Sequence, residues 1–318
     1  MCNCLYCYRP LLEGEKDMHP TCIKKFFGTM ALPILDYTTE QLDQLALQII
    51  QDQTSLTGVQ PKLSLHLNEC EGSKRLTIVG LWGNYICKPQ TSLYELMPEV
   101  EDLTMHLAEV ARIDVVPHTL MRMADDTLCY LTRRIDRSPT GEKIAMEDMC
   151  QLTERPTEHK YKSSYERIGK AVLKYSSLPK MDVTNFFELV LFSWLTGNND
   201  MHLKNFSLYE TAERIRLTPA YDLLNAAIIN PKDDEELALT LNGRKKNLQK
   251  EDFIKSATIL GIETVIVERL INKYMKLLPK FDAVIQNSFL NTELKEKYNH
   301  LLRERLGRLS QEANKQTP

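Results

Sequence analysis

At 318 residues the chain is long enough to bury a sizeable core, as one large or two closely packed domains. Its composition, 43% hydrophobic and 26% charged, is that of an ordinary globular protein, and a net charge of −3 gives no global reason to expect nucleic-acid binding. The longest apolar run, Phe186 to Leu195, is interrupted by Glu188 and too short to span a bilayer, while Met1 to Pro10 is polar and cysteine-bearing rather than basic then apolar. A cytoplasmic location and no membrane contact are therefore expected.

In chain order, residues 1–30 form a small cysteine-rich head holding four of the eight cysteines. In a cytosolic chain this number does not read as a disulfide framework, and Cys70, Cys87, Cys129 and Cys150 read as ordinary scattered residues. The head's Cys4-x2-Cys7-x11-His19-x2-Cys22 has the spacing of a structural zinc site, with Cys2 as a substitute ligand. The alternative is a metal-free knob of reduced cysteines.

Thr39 reads as an N-cap, followed by a helix with Leu42, Leu45 and Ile49 on one face. Leu63, Leu65 and Leu67 alternate with Ser64, His66 and Asn68, which predicts a half-buried strand. Arg75 to Val79, Tyr85 to Lys88, His118 to Met123 and Thr127 to Arg133 are further expected strands. Between them Pro98 opens a helix that places Val100, Leu103, Leu107 and Val110 on one face. A linker is expected near Arg134 to Thr140. Beyond it the pattern turns helical, with an apolar helix over Val183 to Thr196 and a pair of helices over Lys250 to Pro279. The exception is a hairpin over Phe206 to Thr218. The expected fold is α+β and bilobal: head 1–30, β-rich kinase-like lobe 31–136 and mostly α-helical lobe 137–318.

The chemistry concentrates in Gly197-Asn-Asn-Asp-Met-His-Leu-Lys-Asn205, between the apolar helix and the hairpin. Phosphoryl transfer needs a carboxylate to orient the attacking hydroxyl, oxygen ligands for magnesium and a cation on the phosphates. Asp200 and Asn205 have the spacing of Asp and Asn in a kinase catalytic loop, and Asp222 lies beyond the hairpin, where a second magnesium-binding aspartate belongs. Leu223 and Leu224 follow it, so the surrounding letters are not those of an ordinary protein kinase. Lys88 ends a strand in Tyr85-Ile-Cys-Lys-Pro89 and suits the α and β phosphates. Glu101 is its better expected partner and Glu99 the other. Ser55-Leu-Thr-Gly-Val-Gln-Pro-Lys62 has one glycine and is neither a Walker loop nor a kinase glycine-rich loop; Gly58 would let backbone amides approach phosphate.

Together these segments, with Arg134-Ile-Asp-Arg137, Glu147-Asp-Met-Cys-Gln151 and Leu217-Thr-Pro-Ala-Tyr-Asp222, resemble the HipA family of bacterial serine/threonine kinase toxins over about residues 50 to 310. The resemblance implies ATP and Mg2+ as cofactors, Asp200 as proton acceptor, Asn205 and Asp222 as metal ligands and Lys88 as the phosphate lysine. It further implies a phosphate loop of Thr57, Gly58, Val59, Gln60, Pro61 and Lys62, and an adenine hinge of Arg133, Arg134 and Ile135. His202, Leu203 and Lys204 would approach the nucleotide, and Tyr221 would help wall it. Ser55 matches the autophosphorylated serine whose modification ejects the loop and silences the enzyme. Pro61 and Arg133 depart from the acidic residues often found there, which leaves only backbone contacts at those positions.

Full-length members begin with an additional β-rich subdomain, and the Cys/His head stands in its place. The implied partners are a HipB-like helix-turn-helix antitoxin that carries the DNA recognition, a separately encoded N-terminal subdomain protein, and a protein substrate such as an aminoacyl-tRNA synthetase. Two other readings stay open: a catalytically silent scaffold of a DNA-bound repressor complex, and a small-molecule or lipid kinase.

Overall fold

The computed structural model describes residues 3–42, 44–45, 62–70, 72–80, 83–138, 141–212 and 214–310. Ser55, the loop residues Thr57 to Pro61, Cys2 and Ile49 lie outside the described residues. Two compact units emerge: residues 1–103, 116–143 and 287–290 form the first, and 104–115, 144–286 and 291–318 the second.

The first unit is built on five antiparallel strands, β1 (Leu63–Cys70), β2 (Ser73–Ile78), β3 (Tyr85–Lys88), β4 (His118–Arg122) and β5 (Leu128–Arg133). They lie in the order β2-β1-β3-β5-β4. The alternation in β1 does what it predicts, for Leu63 and Leu65 are buried while Ser64 and His66 are only partly covered. Helix α1 (Pro20–Phe27) starts on a proline and stops at Gly28, whose φ of 73° ends it in the left-handed conformation. Its Cys22, Ile23, Phe26 and Phe27 join Leu63, Leu65, Tyr85, Leu120 and Leu131 in one apolar cluster, so the head shares the core of the sheet. Residues 39–42 and 44–45 are helical, with Leu42 buried. Helix α2 (Met97–Val110) buries Val100, Leu103 and Leu107 completely.

In the second unit, β6 (Met146–Asp148), β7 (Ser207–Thr211) and β8 (Arg214–Leu217) form a small antiparallel sheet. It is accompanied by α3 (Met149–Leu152), α4 (Tyr165–Tyr175), α5 (Pro179–Leu195), α6 (Ala226–Ile229), α7 (Lys250–Ile259), α8 (Thr264–Asn287) and α9 (Thr292–Ser310). Helix α5 is apolar on nearly every side, and Phe186, Phe187, Leu191, Phe192, Trp194 and Leu195 are all buried, as a central helix requires. Buried Asp182 ties it to the hairpin: the carboxylate accepts from Arg216, from the Ser176 hydroxyl and from the Leu217 amide. The sequence expectation that the last helix pair stops at Pro279 needs correction. Helix α8 runs through that proline to Asn287, because losing one backbone hydrogen bond is outweighed by burying Phe281 and Ile285 beyond it. Among the described residues no helix is long and apolar enough to cross a membrane.

Candidate functional site

In the first unit Lys88 sits at the end of β3, opposite Tyr130 of β5. Its ammonium lies 5.4 Å above the Tyr130 ring and donates to Glu101 Oε1 at 2.5 Å. The two side chains are 5% and 1% exposed. A buried ion pair of this kind is costly to desolvate and is weak as a stability device, so its presence at a strand end points to use rather than packing. The choice between the two glutamates follows from helix rotation, which turns Glu101 toward the strand and leaves Glu99 buried elsewhere.

Burial, with a smaller push from Asp102 and against backbone hydrogen bonding, raises Glu99 to about 7. The folded protein thus holds this proton more tightly than the unfolded chain, where a glutamate titrates near ~4.3. The resulting stability is full below the unfolded value and is lost as pH rises through about 7. Glu99→Gln is expected to stabilise by roughly 1–3 kcal/mol at pH 8 and to be near neutral at pH 4. Thermal melts of both proteins across that range measure it, and equal shifts at both ends contradict it.

Of the expected hinge, Arg133 and Arg134 donate their backbone amides to Pro117 and Asn84 carbonyls. The Arg133 guanidinium lies over the Phe26 ring and donates to the Phe26 carbonyl, and Arg134 forks onto Asp136. Ile135 follows them at the end of β5, partly buried. Lys62, at the entry to β1, is exposed.

The second unit assembles the 197–205 loop at the end of α5. Gly197 has a φ of 76°, and a Cβ there would collide with the Asn225 side chain and Leu301, so only glycine fits. The chain then folds on itself: the Asp200 amide donates to Asn198 Oδ1, the His202 amide to the Asp200 carbonyl, and Asn205 Nδ2 to the same carbonyl at 3.3 Å. The Asn205 amide nitrogen is thus used inside the loop. The Asp200 residue is exposed and its Oδ1 accepts from the Tyr161 hydroxyl at 2.6 Å. Spacing alone did not single out Tyr161. It is brought in by the 157–161 turn, where the Lys160 carbonyl accepts from the Leu203 amide.

Asp222 has a φ of 62°, a conformation that a non-glycine residue adopts only under tertiary constraint. That constraint comes from the Ala220 amide, which donates to the Asp114 carbonyl, and from the Thr218 amide, which donates to Ser207. The charges of Asp200 and Asp222 both act on Tyr161 and His202. Burial outweighs both of them at His202 and pulls its pKa down, so its ring stays neutral against the edge of Tyr161. Leu203 is fully buried and serves the core with its side chain; Lys204 pairs with Asp148 at 3.4 Å. The Tyr221 hydroxyl bonds Ser207 and the Lys204 carbonyl, bracing the loop from beneath.

The head brings Cys4, Cys7, His19 and Cys22 together, one ligand atom of each within 4.8 Å of all the others. His19 Nδ1 lies 3.4 Å from Cys7 Sγ and 3.7 Å from Cys22 Sγ.

Residues 54–280 match the HipA-like C-terminal domain. The chain belongs to that family. Among relatives of this HipA-like protein, a putative kinase of Haemophilus influenzae is 24% identical over 268 residues, covering 76% of this chain and 77% of the relative. The putative kinase Y4dM of Sinorhizobium fredii is 31% identical over 248 residues, or 72% of this chain and 58% of its own. The serine/threonine-protein kinase toxin HipA of Shewanella oneidensis is 27% identical over 207 residues, 59% of this chain and 46% of the toxin. The HipA-like chain thus spans only about half the length of some curated relatives. Among solved structures, a chain of the Shewanella oneidensis HipA, HipB and operator DNA complex superposes with a TM-score of 0.67 at 21% identity, covering 83% of this chain and 70% of that one. The Helicobacter pylori proinflammatory kinase CtkA superposes with a TM-score of 0.51 at 12% identity, covering 77% and 93%. The fold is therefore the α+β, kinase-like fold of HipA.

Proposed function

We propose that this HipA-like chain is an ATP- and magnesium-dependent protein serine/threonine kinase, the toxin of a HipA/HipB-like pair. The observation that carries the reading is the buried Lys88–Glu101 pair in a chain whose other unit holds Asp200 and Asn205 in one hydrogen-bonded loop, with the charge of Asp222 reaching His202 of that loop. When bound, magnesium-ATP supplies the phosphoryl group, and the metal offsets charge developing on it. Asn205 and Asp222 offer the two oxygen ligands, a donor set that suits a hard cation. Lys88, fixed in direction by Glu101, presents its ammonium to the nucleotide phosphates. Asp200 accepts the proton of the attacking hydroxyl; in the structure its Oδ1 accepts a hydrogen bond from the Tyr161 hydroxyl, which keeps its own proton.

Self-inactivation at Ser55 belongs to this reading, since a phosphate there adds roughly −1.5 to −2 charges beside the phosphate loop. A HipB-like antitoxin, through which any DNA contact is made, a separately encoded N-terminal subdomain and a protein substrate such as an aminoacyl-tRNA synthetase complete it; the Shewanella relative is found with HipB and operator DNA.

The test is transfer of labelled γ-phosphate by the purified chain in a lysate, with magnesium or with chelator. Transfer to protein is expected only with magnesium and should fall roughly 10²- to 10³-fold in Lys88→Met. Phosphosite mapping of the same reactions checks Ser55. Label on small molecules would make it a small-molecule kinase, and bound nucleotide without transfer would make it a scaffold.

A further inference from the structure

The Cys/His head takes no part in the chemistry above, yet it is wired to the residues that do. Three observations concern the cluster itself. Three sulfurs and a ring nitrogen lie within 4.8 Å of one another, and a tetrahedral zinc with Zn–S bonds of ~2.3 Å holds its sulfurs ~3.8 Å apart. His19 Nε2 is 3.1 Å from the Pro10 carbonyl, which can only accept, so the ring proton sits on Nε2 and the lone pair of Nδ1 faces Cys7 and Cys22. An outer hydrogen bond of this type is what orients a metal-ligating histidine. Arg9 donates to Cys7 Sγ at 3.5 Å and supplies a cation beside the three sulfurs.

A fourth observation concerns what the cluster holds. Tyr8 directly follows the ligand Cys7, and its φ of 59° is imposed by the turn in which the Cys4 and Tyr8 amides donate to the Arg9 and Cys4 carbonyls. From that turn its hydroxyl donates to Asp102 Oδ2 at 2.8 Å, while His118 Nδ1 meets Asp102 Oδ1 at 2.7 Å. Tyr8, Asp102 and His118 are 5%, 0% and 2% exposed. Asp102 is the neighbour of Glu101, which holds Lys88.

We propose that Cys4, Cys7, His19 and Cys22 bind one structural zinc ion, and that the metal-locked turn uses Tyr8 to hold Asp102 and so fixes the direction of the Glu101–Lys88 pair. With four protein ligands the coordination sphere is closed, and the ion has no catalytic position. A head of this size has little core of its own, so the metal supplies the rigidity that keeps Tyr8 in its strained turn. Tyr8 is a positioning residue in this scheme. Its effect on nucleotide handling rests on the kinase reading, whereas the metal and the brace do not.

Elemental analysis of full-length protein prepared without added metal should give one zinc per chain, and cobalt exchanged into it should show the visible bands of a tetrahedral thiolate site. Cys7→Ser should lose the zinc. Tyr8→Phe should keep it, yet amide hydrogen exchange over residues 100–103 should rise roughly tenfold as the buried hydrogen bond disappears. In the same variant KM for ATP should rise with little change in thermal midpoint. A metal-free but ordered wild-type head would overturn the site. Unchanged exchange over 100–103 in a zinc-loaded Tyr8→Phe would overturn the brace, even if Cys7→Ser fails to fold. If the wild type transfers no phosphate, the kinase reading fails while the metal and exchange results still decide this one.

Discussion

Asp200→Asn is expected to lower phosphotransfer by about 10³-fold or more while nucleotide affinity and thermal midpoint stay close to wild type. The residue is exposed, so no core packing depends on it. Its backbone performs the structural work, accepting from Asn205 and His202 and donating to Asn198, and an asparagine keeps all three contacts. What disappears is the carboxylate that can take a proton. That carboxylate oxygen now accepts a hydrogen bond from the Tyr161 hydroxyl at 2.6 Å. Labelled-phosphate transfer, a nucleotide titration and a thermal melt of the same preparation measure the three quantities. Retained transfer would remove Asp200 from the base role.

Arg305→Ala is expected to cost about 3 kcal/mol of stability. Arg305, on α9, is 4% exposed, and its guanidinium lies over the Trp194 ring and donates to the Trp194 carbonyl. That carbonyl belongs to the last turn of α5, where a cation is favoured by the helix dipole. Burial pulls the arginine down to about 10, so it stays charged at neutral pH. Glu236 takes part of the same arrangement, accepting from Trp194 Nε1 and from Arg308. Truncation leaves a hole against Trp194 and an unanchored helix end one turn before Gly197. The thermal midpoint should fall roughly 6–12 °C, and Arg305→Met, which refills the volume, should recover part of it. A shift under ~2 °C in Arg305→Ala would show that α5 is held by packing alone.

Much of this protein was legible in one dimension, and the residues show why. The strands of the first unit announce themselves by period-two alternation, and α2 and α5 by helical period or continuous apolarity, since burial of a face writes directly into spacing. Asp200 and Asn205 are equally readable, because their relation closes within one turn of chain. Chain order likewise put Asp222 beyond a hairpin that the structure contains. Other features have no local signature. Sequence reading offered two glutamates for Lys88 with Glu101 the better, and in the structure it is Glu101 that the ammonium meets. Arg133 was read for its backbone, whereas its side chain is drawn 107 positions back to the Phe26 carbonyl. Tyr161 reaches Asp200 across 39 positions, and Tyr8 reaches Asp102 across 94. Periodicity and ligand spacing are set by the geometry of a single helix, strand or turn, so the sequence by itself determined the strands of the first unit, helices α2 and α5, the loop and the Cys/His set. Pairings between distant residues depend on how finished elements pack, and that only the tertiary structure decided.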